Sequence, residues 1–158
     1  MLTHLDKNGN ATMVDISDKK TTTRTALASG VIHITQEVLE AIKKDSIKKG
    51  NVFTVAKIAG INSAKMTEAI IPLCHQIPLD YIDINFDLQE ENLIIEVLAS
   101  VKTSHKTGVE MEALVAVNAS LLTVYDMCKG VSKDMRITDI KLLKKTGGKS
   151  GDWETSSK

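Results

Sequence analysis

The chain has 158 residues with 20 lysines and arginines against 20 aspartates and glutamates, a length that suits one domain whose core needs no disulfide staple. The charge balance leaves no overall basic field for nucleic acid or an anionic membrane, and 3% aromatic residues cannot supply a base-stacking platform. Cys74 and Cys128 lie in unlike contexts, the opening MLTHLDKNGN has no apolar leader core, and no run approaches membrane-spanning length, so reduced thiols in a cytoplasmic protein are expected.

Residues 1–22 are polar and aperiodic, an N-terminal arm or flexible loop. RTALASGVIHI, residues 24–34, reads as a strand weakened at Gly30. Thr35 then caps a helix running to about Ile47, with Val38, Leu39 and Ile42 on one face. Lys48-Lys49-Gly50-Asn51 breaks the pattern. A second helix is expected from Val52 to Ile70, where Ala56, Ala59, Gly60 and Ala64 suit close packing. IPLCHQIP is a loop stiffened by Pro72 and Pro78. Tyr81 to Leu88 and Leu93 to Val101 both alternate apolar with polar, and Gln89 to Asn92 joins them as a hairpin. KTGVEMEALVAVNASLLTVYDMCKG, residues 106–130, is a long apolar helix. A strand near Ile137 to Leu143 follows, then a flexible Gly/Lys/Ser tail over 146–158. The order predicts an α+β, ferredoxin-like βαββαβ sandwich, one domain with helices on one face of an antiparallel sheet.

Several residues have two readings. Thr107 and Glu110 have the spacing of a capping box, with Thr107 as N-cap. Glu112 lies beyond that box, as a solvated acid or a functional one. Met111 is a core filler or a ligand contact. Asp126 falls in the last helical turn, where the macrodipole disfavours an anion by roughly 0.3–1 kcal/mol. Lys129 either neutralises it as an i,i+3 pair or sets the charge of a general acid/base. Glu112 and Asp126 are about 14 residues and therefore about 21 Å apart along the axis. One small-molecule site holds both only if a symmetric partner brings its helix end to this one.

Cys74-His75 in the proline-bracketed loop is either a buried Cys with a hydrogen-bonded His or a ligand-orienting device. Zinc fits poorly, because no second Cys or His stands at a close ligand spacing. Arg24, Lys48 and Lys49 are solvated cations or phosphate ligands. GGKSG imitates the end of a P-loop, but Leu143 stands where the first glycine is required and no helix has room to follow. A basic, glycine-rich segment that closes over an anion survives.

THLDKNGNATMVDIS, KKGNVFTVAKIAGINSAK, IPLCHQIPL, KTGVEMEAL, LLTVYDMCK and GGKSGD together resemble the molybdenum cofactor biosynthesis protein C family, over nearly the whole chain from about Leu2 to Trp153. KTGVEMEAL with YDMCK at this separation is the specific pair. The resemblance implies an enzyme that converts a cyclic dihydro-GTP intermediate to cyclic pyranopterin monophosphate and releases pyrophosphate. It implies no metal and no organic cofactor. It implies a small-molecule, GTP-derived substrate and a hexamer, a trimer of dimers, with sites at the dimer interfaces. Asp126 matches the catalytic aspartate, and Lys49 and Lys129 match essential lysines. Leu73, Cys74, His75, Met111 and Glu112 match substrate-binding stretches, and Arg24, Glu110 and Lys145 match further pocket residues. The chain departs from the family pattern at Asn51 for Asp, Lys57 for Arg, Gln76 for Pro and Val115 for Thr; of these, Gln76 bears on the loop that carries His75. A non-catalytic nucleotide sensor on the same fold is the rival reading.

Overall fold

Two sequence patterns, alternating strands and apolar helices, assemble around one antiparallel sheet in this computed structural model, which describes residues 5–149 and 151–156. Ser150 of the GGKSGD motif and the outer ends of the expected arm and tail lie outside the described residues. The elements are β1 (Thr22–His33), α1 (Gln36–Lys43), α2 (Val52–Ala64), α3 (Thr67–Ile70), β2 (Tyr81–Gln89), β3 (Ile94–His105), α4 (Glu110–Cys128), β4 (Arg136–Thr146) and β5 (Trp153–Glu154). The sheet order is β2-β3-β1-β4-β5, every pairing antiparallel. The expected α+β, ferredoxin-like plan stands, with the first strand at the centre and α4 lying across β1, β3 and β4.

The core follows from the period of each element. Ala26, Ala28 and Ile32 of β1 and Ile95, Val97, Ala99 and Val101 of β3 are buried with Ala113, Ala116, Val117, Leu121 and Val124 of α4. Burying one such Val, Leu or Ile fully is worth about 1.5–3 kcal/mol, so this seam dominates the stability. Gly30 sits where α4 packs against β1. A Cβ there would lie 2.7 Å from Val117 Cγ1 and 2.8 Å from Leu121 Cδ1. The residue that weakened the strand on propensity is the one the helix crossing requires.

Four expectations need correction. The helix after Thr35 stops at Lys43, not Ile47, and Asp45 turns the chain with a φ of 48°. Thr35 does cap it, accepting from Val38 N–H at 3.4 Å. The expected helix from Val52 to Ile70 is two: α2 ends at Ala64, and a single turn, α3, restarts at the buried Thr67, whose hydroxyl donates to the Ala64 carbonyl at 2.9 Å. The tail expected to be flexible folds back, pairing β5 with β4 at Lys144 with Glu154 and Lys145 with Trp153. Asp152 secures that turn by accepting the Gly147 N–H at 3.0 Å. Finally, α4 is long and apolar enough to match a membrane span by length and composition. Its buried residues pack on the sheet, so it is the core helix of this fold.

Candidate functional site

α4 carries a different chemical group at each end. Its first turn holds Glu110 and Glu112, where the positive end of the helix dipole favours carboxylates. The capping box does not form: the N-cap is Val109, with no side-chain cap, and Glu110 is the first helical residue. Glu110 instead pairs with Lys145 of β4 at 2.8 Å. This tertiary ion pair, about a quarter exposed on each side, replaces the local bond that the spacing suggested.

Glu112 is 3% exposed. It lines a small cavity of about 180 Å³ with Leu73, Cys74, His75, Ile77 and Met111. Thr107, Gly108 and Glu110 complete the wall. Burial pushes the Glu112 carboxyl up to about 7, reinforced by the negative charges of Glu110 and Glu68. Burial and then Glu112 raise the Cys74 thiol as well, so it is not an activated thiolate. The cavity therefore puts a buried carboxyl and an imidazole on the lining of one half-apolar slot.

A second cavity, about 990 Å³, opens at the same corner and shares Thr107, Gly108 and Glu110 with the first. Lys19, Lys20, Arg24, Lys106, Lys145 and Lys149 line it against Asp15, Asp18 and Glu110. Arg24 is oriented by its Nε, which donates to the His105 carbonyl at 3.0 Å. Gly148, at a φ of 83°, brings the β4–β5 turn flat against the Arg24 guanidinium, where any Cβ would collide. A wide, cationic recess joined to a narrow, half-apolar slot suits a ring bearing phosphates. Of its cations, sequence reasoning singled out Arg24 and Lys145 and foresaw an anion-facing basic turn, now represented by Lys149. It missed Lys19, Lys20 and Lys106. Their signal was position: Lys19 and Lys20 lie in the arm just before β1, and Lys106 directly follows β3.

The other end of α4 gathers Lys49, Asp126 and Lys129. Asp126 lies 2.8 Å from Lys129 Nζ and 2.6 Å from Lys49 Nζ. Hydrogen bonds from Lys129 and then Lys49 hold its carboxyl down at about 2. Lys49 also donates to the Asp126 backbone carbonyl at 3.0 Å, one of the acceptors a helix C-terminus leaves open. The i,i+3 pairing with Lys129 is therefore present, and a distant lysine joins it. That explains how an aspartate is tolerated at the negative end of the dipole. None of the three lines either cavity, so within one chain the two groups stay apart, as the axial separation required.

The departures from the family pattern are mild where the structure describes them. Asn51 caps α2, accepting from Thr54 N–H at 2.9 Å, a task that Asp would perform equally. Lys57 keeps a cation 3.0 Å from Asp83. Val115 is a core residue, and Gln76 is exposed.

Comparison with known proteins gives these features a family. Residues 13–148 match the sequence pattern of the MoaC family. The chain belongs to the MoaC family. A relative from Clostridium acetobutylicum named cyclic pyranopterin monophosphate synthase is 52% identical over 154 residues, 98% of this chain and 96% of that one. A relative of the same name from Salinibacter ruber is 46% identical over 156 residues, 99% and 92% of the two chains. Molybdenum cofactor biosynthesis protein moc-5 of Caenorhabditis elegans is 51% identical over 150 residues, covering 95% of this chain but 25% of its own length. The resemblance drawn from the motifs is thereby borne out, and the family region takes in both ends of α4 and the lining of the two cavities except Lys149.

Proposed function

We propose that this chain is a cyclic pyranopterin monophosphate synthase of molybdenum cofactor biosynthesis. It converts the cyclic dihydro-GTP intermediate to cyclic pyranopterin monophosphate and releases pyrophosphate, a lyase reaction run by side chains without metal or organic cofactor. The observation that carries the reading is the pairing of the acid-lined slot with a cationic recess at one end of KTGVEMEAL…YDMCK, in a chain 52% identical to a protein of that name.

In this reading Glu112, His75, Cys74, Leu73 and Met111 hold the guanine-derived ring. The Glu112 carboxylate accepts from its N–H groups. Arg24 and Lys145, with Glu110 orienting Lys145, face the phosphates and neutralise charge that develops on the leaving pyrophosphate. Asp126, Lys49 and Lys129 are the catalytic set. Asp126 is ionised by its two lysines, and each lysine is a proton donor held against an anion.

The set reaches the pocket from a second copy. Leu122, 59% exposed, lies one turn before Asp126 on the same face of α4. Val55, Ile58, Met66 and Ile70 on the neighbouring helices are exposed as well. Exposed apolar side chains therefore accompany α4 from Leu122, near the Lys49–Asp126–Lys129 cluster, to α3 at the slot end, and support a two-fold interface that brings that cluster to the other copy's slot. We extend this to a hexamer, a trimer of dimers, and to a cytoplasmic enzyme, where a GTP-derived substrate is made.

The test is a single-turnover incubation of the purified protein with the cyclic dihydro-GTP intermediate, following pyrophosphate and the pterin together. Both are expected at matching rates. Binding without either product would replace the synthase with the nucleotide sensor.

A further inference from the structure

The arm before β1 contributes cations to the wide cavity, but one of its contacts does something else. The Val14 carbonyl oxygen lies 2.8 Å from His75 Nε2. Three residues on, the Ser17 carbonyl accepts from Lys106 Nζ at 2.7 Å. Between them Asp15 accepts from the Ser17 N–H at 2.9 Å and from its hydroxyl at 2.7 Å. The Ser17 hydroxyl, then its N–H, hold the Asp15 carboxyl below its ordinary range, and the charge of Lys106 acts in the same direction. A four-residue segment thus clasps the proline-bracketed loop on one side and the β3–α4 loop on the other. Those two loops form the walls of the slot around Glu112.

A carbonyl oxygen can only accept a hydrogen bond. The His75 nitrogen facing it must therefore carry a hydrogen, and in the neutral ring that leaves Nδ1 with the lone pair. We infer that the N-terminal arm is the positioning element for His75: the Val14 carbonyl fixes the Nε2–H tautomer and leaves Nδ1 as the proton acceptor of the slot. Val14, Asp15 and Ser17 touch no reacting atom in this scheme and act through the ring. The groups around that ring are Cys74 on its own loop, Glu110 and Glu112 from α4, Asp15 from the arm and Lys106 behind Asp15. The acceptor role rests on the synthase reading. The tautomer does not.

Two experiments on the full chain separate these. In long-range proton–nitrogen NMR of histidine-labelled protein, with His75 assigned from the signal lost in His75→Gln, the ring is expected with Nε2 protonated and Nδ1 bare. The reverse pattern overturns the inference whether or not the protein turns over. The second is Asp15→Ala, which removes the acceptor that shapes the clasp. Expected are a mixture of tautomers, a fall in kcat of about tenfold and a displaced pH–rate profile. KM should not rise, because one acid fewer in a cationic recess favours an anionic substrate. Asp15→Asn keeps an acceptor oxygen for Ser17 and should restore most of kcat. If Asp15→Ala lowers KM while kcat, the pH profile and the tautomer stay as in the parent, Asp15 only tunes cavity charge and the positioning role is refuted. If the parent itself makes no product, the synthase reading fails and the NMR pattern still decides the tautomer.

Discussion

Replacing Glu112 by glutamine tests whether its burial has the energetic consequence that the geometry implies. The carboxyl is 3% exposed and is displaced from an ordinary 4.5 to about 7 by desolvation. At about 1.4 kcal/mol per pH unit, the difference is worth about 3 kcal/mol between the two protonation states. The sign follows from proton counting. Between about pH 4.5 and pH 7 the folded chain keeps a proton that the unfolded chain has released. The unfolded state binds fewer protons, so this group makes stability fall as pH rises through that window and level off above it. Asp126 acts in the opposite sense and elsewhere. Its depressed carboxyl contributes stability that is lost only as pH falls from 3.8 toward about 2. Glu112→Gln removes the first slope and leaves the second. Denaturant unfolding of parent and variant at fixed protomer concentration, at about pH 5 and about pH 8, should show the variant gaining up to about 3 kcal/mol on the parent at the higher pH. Parallel pH curves for the two proteins would refute the buried-carboxyl reasoning.

At the other end of α4, Lys49→Ala and Asp126→Ala should bind the cyclic dihydro-GTP intermediate with near-parent affinity. Single-turnover rates should fall about a hundredfold or more, and near-parent rates would remove both residues from the chemistry. Placing a charge on the exposed apolar face, as Leu122→Asp or Ile58→Asp, should yield a smaller species in sedimentation velocity and abolish turnover. An unchanged assembly with unchanged rate would mean that this face is not the interface. Gly60→Ala should destabilise the protein by about 1–3 kcal/mol, read from the denaturant midpoint. Its Cβ would lie 2.9 Å from the Ala116 carbonyl oxygen and collide with Ser120 and Ile84, where α2 meets α4.

The order of the main elements was legible in the chain, though not the break into α2 and α3 or the strand β5, because strand alternation and helical period are local properties that survive without knowledge of neighbours. It also carried the family motifs, and through them every residue proposed for the site. The separation of Glu112 from Asp126 followed from helix geometry alone. Which partner each charge takes was set by the packing of distant segments. Thr107 and Glu110 had capping-box spacing, yet Glu110 is matched to Lys145, about 35 residues away in sequence. Asp126 had a local lysine, yet Lys49 reaches it from the loop before α2. Gly30 read as a defect until α4 was seen to cross there. The first residues read as an arm or a flexible loop with no assigned contact until Val14 was found against His75. Propensity and spacing report the i,i+3 and i,i+4 neighbourhood, whereas ion pairs, helix crossings and backbone acceptors over a pocket depend on which distant segments the packed core brings within hydrogen-bonding distance.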